Sequence, residues 1–244
     1  WMTGDKAWIR YGTHMQLEQF LQLLLRNGYA VASLNYRLVP EGLFPAPIHD
    51  VKAAVRYLRA HAHELGINPE RIGVAGESAG AHLAQLLAVS ADQPSLEGDL
   101  GNAAFSSRVK AAVSYYGIAD VRRLAGERID QGCKNPWVYD PNKPNEAEYG
   151  LLGGGNLDTP EQQQRALLAS PIHYVDAGDP PMLLLHGRQD CVVAVVQSQA
   201  MHAALQEAGV PSHLRLIAAD HAEAKFYTDP QLQRLLLDFL RTYL

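Results

Sequence analysis

Gly76-Glu77-Ser78-Ala79-Gly80 constrains this chain more than any other stretch. It lies between Arg71-Ile72-Gly73-Val74-Ala75, which reads as a strand, and Ala81–Val89, which reads as a helix. Strand, Gly-x-Ser-x-Gly, helix is the context of a nucleophile elbow. So sharp a turn forces the serine backbone into a strained conformation. Side chains two positions to either side would collide with the strand and helix, so glycine is expected at both flanks. The Ser78 hydroxyl then stands above the sheet at a helix N-terminus, where free N–H groups and the dipole favour negative charge. An ordinary glycine-rich turn with an N-cap serine would share the motif without the chemistry.

Strand and helix patterns alternate around the elbow. Leu17, Phe20, Leu21 and Leu24 recur at helical spacing before a stop at Gly28, and Tyr29 to Leu34 reads as a buried strand. Asp50 is placed to cap a helix carrying Val51, Ala54, Val55, Leu58 and Leu65, closed by Gly66. Further strands are predicted at Val109–Tyr116, Pro181–His186 and Ser212–Ile217, with helices over Val195–Ala208 and Pro230–Leu244. This order predicts an α/β fold of about five mostly parallel strands flanked by helices. A length of 244 residues suits one domain, 1–244. From Ile118 to Pro171 the pattern breaks at Pro136, Pro141, Pro144, Pro160 and Gly153-Gly154-Gly155. That region, about 118–171, is expected to be a cap-like insertion over one end of the sheet.

A net charge of −5, with no basic cluster interleaved with aromatics, argues against a nucleic-acid partner. No apolar run is long enough to span a membrane, so no stable membrane association is expected. The two cysteines, Cys133 and Cys191, are too few for a disulfide framework and lack metal spacing; whether they pair stays open. The chain opens on Trp1 and carries no signal peptide. The cytoplasm is the default expectation, and a targeting segment upstream would not be visible.

A serine hydroxyl is a poor nucleophile alone. It needs a general base, usually histidine, and a carboxylate that fixes the histidine tautomer and stabilises the imidazolium. Each should follow a later strand. Asp190 lies in the loop after Pro181–His186, and His221 in the loop after Ser212–Ile217. Among ten histidines, His61, His63 and His202 fall on helix surfaces. His82 is read as packing under the elbow, and His186 as anchoring the Asp190 loop. Asp220, the rival acid, would have to fold back awkwardly to reach its neighbour His221.

Nearly all of the chain resembles the α/β-hydrolase fold, in the hormone-sensitive-lipase-like and bacterial feruloyl-esterase-like branch of carboxylesterases. The likeness is carried by Asn35-Tyr36-Arg37-Leu38-Val39-Pro40-Glu41, Phe44-Pro45-Ala46-Pro47, Asp50-Val51, Gly76 to Leu83, Ser170-Pro171-Ile172, and Pro180 to Asp190. It implies Ser78 as nucleophile, Asp190 as acid, His221 as base and the Ala79 N–H as an oxyanion donor. It implies a small-molecule ester as substrate and no metal or organic cofactor. Such enzymes usually place a His-Gly-Gly-Gly-Trp loop before a segment like Trp1-Met2-Thr3-Gly4; here the chain begins at the tryptophan. The fold is thus expected in a form truncated before its usual oxyanion loop. A backbone N–H near Trp1 to Gly4 is a candidate replacement donor, and Gly153-Gly154-Gly155 reads as a loop.

The family's missing third strand would leave Tyr29–Leu34 and Arg71–Ala75 as neighbours. The expectation is that they pair directly or that a partner chain fills the gap, which raises the prospect of a homodimer. Trp1, Met2, Tyr116, Trp137 and Tyr139 are candidates to line the pocket, with membership of the core as the plainer reading of each. Together these readings point to a serine carboxylesterase acting on short-chain esters. The alternative is a weak or inactive remnant of the fold that serves as a binding or assembly module.

Overall fold

The computed structural model describes residues 1–2, 4–7, 17–91, 93–133, 150–153, 157 and 159–244. In chain order, α1 spans Leu17–Arg26, α2 Ala46–Ala60, α3 Ala62–Leu65, β1 Val74–Glu77, α4 Ala79–Val89 and α5 Pro94–Glu97. Then come β2 at Ala112–Tyr115, α6 at Leu124–Asp130, α7 at Pro160–Leu168 and a 3-10 turn at Pro171–Tyr174. The chain closes with β3 at Met182–Gly187, α8 at Val196–Glu207, β4 at Ser212–Ile217, α9 at Lys225–Thr228 and α10 at Pro230–Tyr243. Among the described residues, no helix is long and apolar enough to cross a membrane.

The four strands form one parallel sheet in the order β1-β2-β3-β4. Period-two alternation sorts their side chains between two cores. Val113, Tyr115, Leu183 and Leu185 face Phe20 and Leu24 of α1 and Leu232, Leu236 and Phe239 of α10. Ala112, Met182 and Leu184 face Val51 and Val55 of α2, Leu83 and Leu87 of α4, and Met201 and Leu205 of α8. β3 is buried at every position, whereas β1, at the edge of the sheet among the described residues, is only half-buried.

Two expectations are corrected. Tyr29–Leu34 forms no ladder, so among the described residues the parallel sheet has four strands where about five were expected. The segment has no regular secondary structure, Ala30 and Ala32 are exposed, and it is not paired with β1 in the described sheet. An apolar run becomes a strand only with backbone ladder pairing, and among the described residues this one has none; Ser33 Oγ instead donates to Lys6 C=O at 2.8 Å. Asp50 does not cap a helix. α2 starts four residues earlier, with Pro47 in its first turn, where a missing N–H costs nothing. Asp50 instead accepts the Arg37 backbone N–H at 2.7 Å and pairs with its guanidinium at 2.8 Å.

Candidate active site

Ser78 sits between β1 and α4 with φ 49° and ψ −116°, a left-handed conformation costly for a residue with a Cβ. The turn is held by Ser78 N–H donating to Tyr115 C=O at 3.0 Å, which continues the β1–β2 ladder through Ser78. The glycine requirement proves one-sided. A Cβ on Gly76 would collide with the Gly80–Ala81 main chain, whereas one on Gly80 meets open space. At the flank expected to be equivalent, what matters is Gly80's backbone approaching Gly76.

His221 lies beside Ser78 across 143 positions of sequence, its Nε2 3.0 Å from Ser78 Oγ. Its Nδ1 lies 2.7 Å from Asp190 Oδ2. A carboxylate only accepts, so the proton is on Nδ1, and Nε2 presents a lone pair to the serine hydroxyl. Gly187 makes the approach possible: a Cβ there would stand 2.2 Å from the Ala219 carbonyl oxygen, so only glycine lets the two loops touch. Gln189 N–H then donates to Ala219 C=O at 3.1 Å.

Asp190 is fully buried. Burial alone would raise its pKa, but hydrogen bonds and charge interactions with His186 and His221 outweigh this and hold it down at about 2. Its second oxygen accepts Val192 N–H at 2.9 Å and Val193 N–H at 2.8 Å. His186 closes the loop, with Nε2 2.9 Å from Val193 C=O and 3.3 Å from Asp190 Oδ2. Because Nε2 donates to that carbonyl, Nδ1 accepts the Ser198 hydroxyl at 2.6 Å. Asp220 points elsewhere, its carboxylate accepting the His221 backbone N–H at 2.7 Å.

His82 is buried beneath the elbow. Nδ1 accepts the Trp1 indole N–H at 3.1 Å, and Nε2 donates to Ala169 C=O at 2.7 Å. Burial lowers its pKa to about 4. Both ring nitrogens are thus engaged away from Ser78. His202 is tied to Ser212 Oγ at 2.8 Å.

Ala79 opens α4, whose first N–H groups have no acceptor within the helix. Of the candidate pocket residues, Trp1 and Tyr116 are core and Met2 is exposed. Trp137 and Tyr139 lie outside the described residues, as do Thr3, Gly154 and Gly155. Gly153 packs against Arg165 and Leu43.

Sequence left the two cysteines open; the structure joins them. Cys133 and Cys191 form a disulfide across 58 positions of sequence. Cys191 adjoins Asp190, and Gln131 reinforces the link, donating to Asp190 C=O at 2.6 Å and accepting Val195 N–H at 3.0 Å. Neither cysteine lies in a motif, so no local pattern could have paired them.

A parallel sheet that turns through Gly-x-Ser-x-Gly into a helix is the architecture of the α/β-hydrolase fold. Known proteins agree. The chain belongs to the BD-FAE family, whose profile matches residues 1–205. It is 34% identical over 218 residues to the esterase LipQ of Mycobacterium tuberculosis, covering 88% of this chain and 48% of that protein. The solved structure of a truncated carbohydrate esterase from gut microbiota aligns with TM-score 0.77 at 31% identity, covering 90% of this chain and 76% of that one. A bifunctional GH43-CE protein of Bacteroides eggerthii aligns with TM-score 0.80 at 30% identity, covering 92% of this chain and 28% of that one. The chain spans about half the length of the curated relatives it matches.

Proposed function

We propose that the protein is a serine carboxylesterase that hydrolyses short-chain esters through Ser78, His221 and Asp190. The observation that carries this reading is the unbroken line from Ser78 Oγ to His221 Nε2 and from His221 Nδ1 to Asp190 Oδ2, at 3.0 and 2.7 Å.

In this reading Ser78 Oγ attacks the ester carbonyl as its proton passes to His221 Nε2. The Asp190 carboxylate stabilises the imidazolium without taking the proton. The developing oxyanion receives the Ala79 N–H and the field of the α4 N-terminus. Collapse of the tetrahedral intermediate expels the alcohol, protonated by His221, and leaves an acyl-serine. Water, losing its proton to the same imidazole, attacks that acyl group and releases the acid and free Ser78. In this scheme a backbone N–H near Trp1 to Gly4 is the candidate for a partial second oxyanion donor. Lacking one donor would cost about 2.7–4 kcal/mol, a slower esterase but still an esterase.

Small acyl groups on carbohydrate alcohols are the first substrates to test, since a similar solved structure carries the name of a carbohydrate esterase. Residues about 118–171 serve as a cap shaping the pocket, and the open β1 edge is the place for a dimer contact, which gel filtration would reveal. The central test is hydrolysis of p-nitrophenyl acetate by the purified chain beside Ser78→Ala. The expected loss is at least about a thousandfold. Equal rates would end the esterase reading.

A further inference from the structure

Tyr116 is the residue after β2, and two features of it are unusual. Its φ is 44°, a conformation that bulky residues avoid unless their surroundings impose it. Its side chain is fully buried, yet its ring stands edge-on to the His221 imidazole, with centroids 4.7 Å apart and planes at 60°. Strain in a buried aromatic beside a catalytic base calls for a physical cause.

A polar anchor holds the far end of the ring. Tyr116 Oη lies 3.0 Å from Glu77 Oε2 and 3.0 Å from Tyr227 Oη, and Tyr227 Oη lies 2.5 Å from the same Glu77 oxygen. The two hydroxyls own two protons for these three contacts. Tyr227 donates to Glu77, and Tyr116 donates either to Glu77 or to Tyr227, so both routes end on one carboxylate. Burial, with the Glu77 charge as a further cause, holds both phenols well above their ordinary pKa, so they stay donors. The members come from three places: Glu77 immediately precedes Ser78 at the elbow, Tyr116 directly follows β2, and Tyr227 lies in α9. Phe226 packs against the Tyr116 ring at 4.8 Å.

We propose that Tyr116 is a positioning residue for His221, held against the imidazole by Glu77 and Tyr227. Asp190 fixes one nitrogen of the His221 ring, but a single hydrogen bond leaves rotation about its axis. The aromatic wall removes that freedom and keeps Nε2 aimed at Ser78 Oγ. Glu77 thereby links the main chain of the nucleophile to the orientation of the base. This inference rests on the triad reading above.

The test compares kcat and KM on p-nitrophenyl acetate, with thermal melting and the downfield NMR signal of the His221 Nδ1 proton. Tyr116→Phe keeps the ring and loses the anchor; kcat is expected to fall about tenfold with KM within about twofold, and the proton signal to broaden. Tyr116→Ala loses the wall, and kcat is expected to fall about a hundredfold, the scale of a reacting group displaced by about 1 Å. Glu77→Gln keeps an acceptor oxygen and is expected to retain most of kcat. Glu77→Leu should fall with Tyr116→Phe, and the double variant Glu77→Leu/Tyr116→Phe should be no worse than the poorer single. If Glu77→Leu does not fold, Tyr116→Phe carries the test alone, since it removes one oxygen. An unimpaired Tyr116→Phe, or a loss confined to melting temperature, overturns the inference while an inactive Ser78→Ala leaves the triad standing. A fully active Ser78→Ala overturns both.

Discussion

Gly76 and Gly80 are in main-chain contact: a Cβ built on Gly76 would stand 2.3 Å from the Gly80 carbonyl oxygen, while one on Gly80 meets nothing within 4 Å. The obstacle at Gly76 is backbone, which cannot swing aside as a flexible side chain would. Gly76→Ala is therefore expected to destabilise the chain by about 1–3 kcal/mol and to displace Ser78, with a loss of esterase rate. Gly80→Ala, in the first turn of α4, is expected to be neutral or to stabilise by up to about 1 kcal/mol through helix propensity. Urea midpoints of the two variants check this. Equal destabilisation would show that the contact has been misread.

The same pair shows what could and could not be read in sequence. That Ser78, Asp190 and His221 would meet was legible because a serine–histidine–carboxylate line restricts both residue type and place, each just beyond a strand. Glycine at both ends of the elbow was legible too, but not that one supplies space and the other fills it. Tyr29–Leu34 was misread because periodicity reports apolar spacing, and a ladder also needs a neighbour. Asp50 reads as a cap from its local context, but Arg37, 13 positions away, decides its role. Tyr116 illustrates the same limit: nothing local tells a core aromatic from one set against an imidazole. The order of strands places Cys133 near Cys191, and no spacing rule does.

Replacing Asp190 by asparagine separates orientation from charge. An amide presents a donor as well as an acceptor to His221 Nδ1. An N–H directed there favours the tautomer with its proton on Nε2, facing Ser78 with no lone pair to accept from it. The expected loss in kcat is about 10⁴-fold with a modest change in KM. A loss below tenfold would mean that the carboxylate does not set the tautomer. Asp190 also links to acid stability. Its depressed pKa of about 2 contributes stability above the unfolded value near 3.8, which is lost as pH falls from there through about 2.

Cys133–Cys191 closes 58 positions of chain, and one of its sulfurs belongs to the residue beside Asp190. In the chain-entropy account, a loop of that size stabilises by about 4 kcal/mol. Reduction, or the Cys133→Ser/Cys191→Ser variant, is expected to lower the urea midpoint substantially. It is also expected to reduce kcat, because the Asp190 loop then relies on Gln131 to hold it against the segment following α6. Thiol titration before and after dithiothreitol, alongside rate and urea curves, makes the comparison. An unchanged midpoint with two titrated thiols would count against any structural contribution from the bridge.

His82 gives a signed dependence of stability on pH. In the folded chain its ring is neutral, its proton on Nε2 facing Ala169 C=O and its Nδ1 occupied by the Trp1 indole. Burial places its folded pKa at about 4, against 6.5 for a free imidazole. Between those values the unfolded chain binds a proton that the folded chain refuses, so stability rises with pH across the window. This contribution is fully present above about pH 6.5 and falls away toward pH 4, by about 3 kcal/mol in all. His82→Gln does not titrate there and is expected to be less stable at pH 7. The gap between the two stability curves should then narrow by about that amount as pH drops to 4. Urea unfolding at intervals across the range measures the gap, and parallel curves would mean that His82 carries no such linkage.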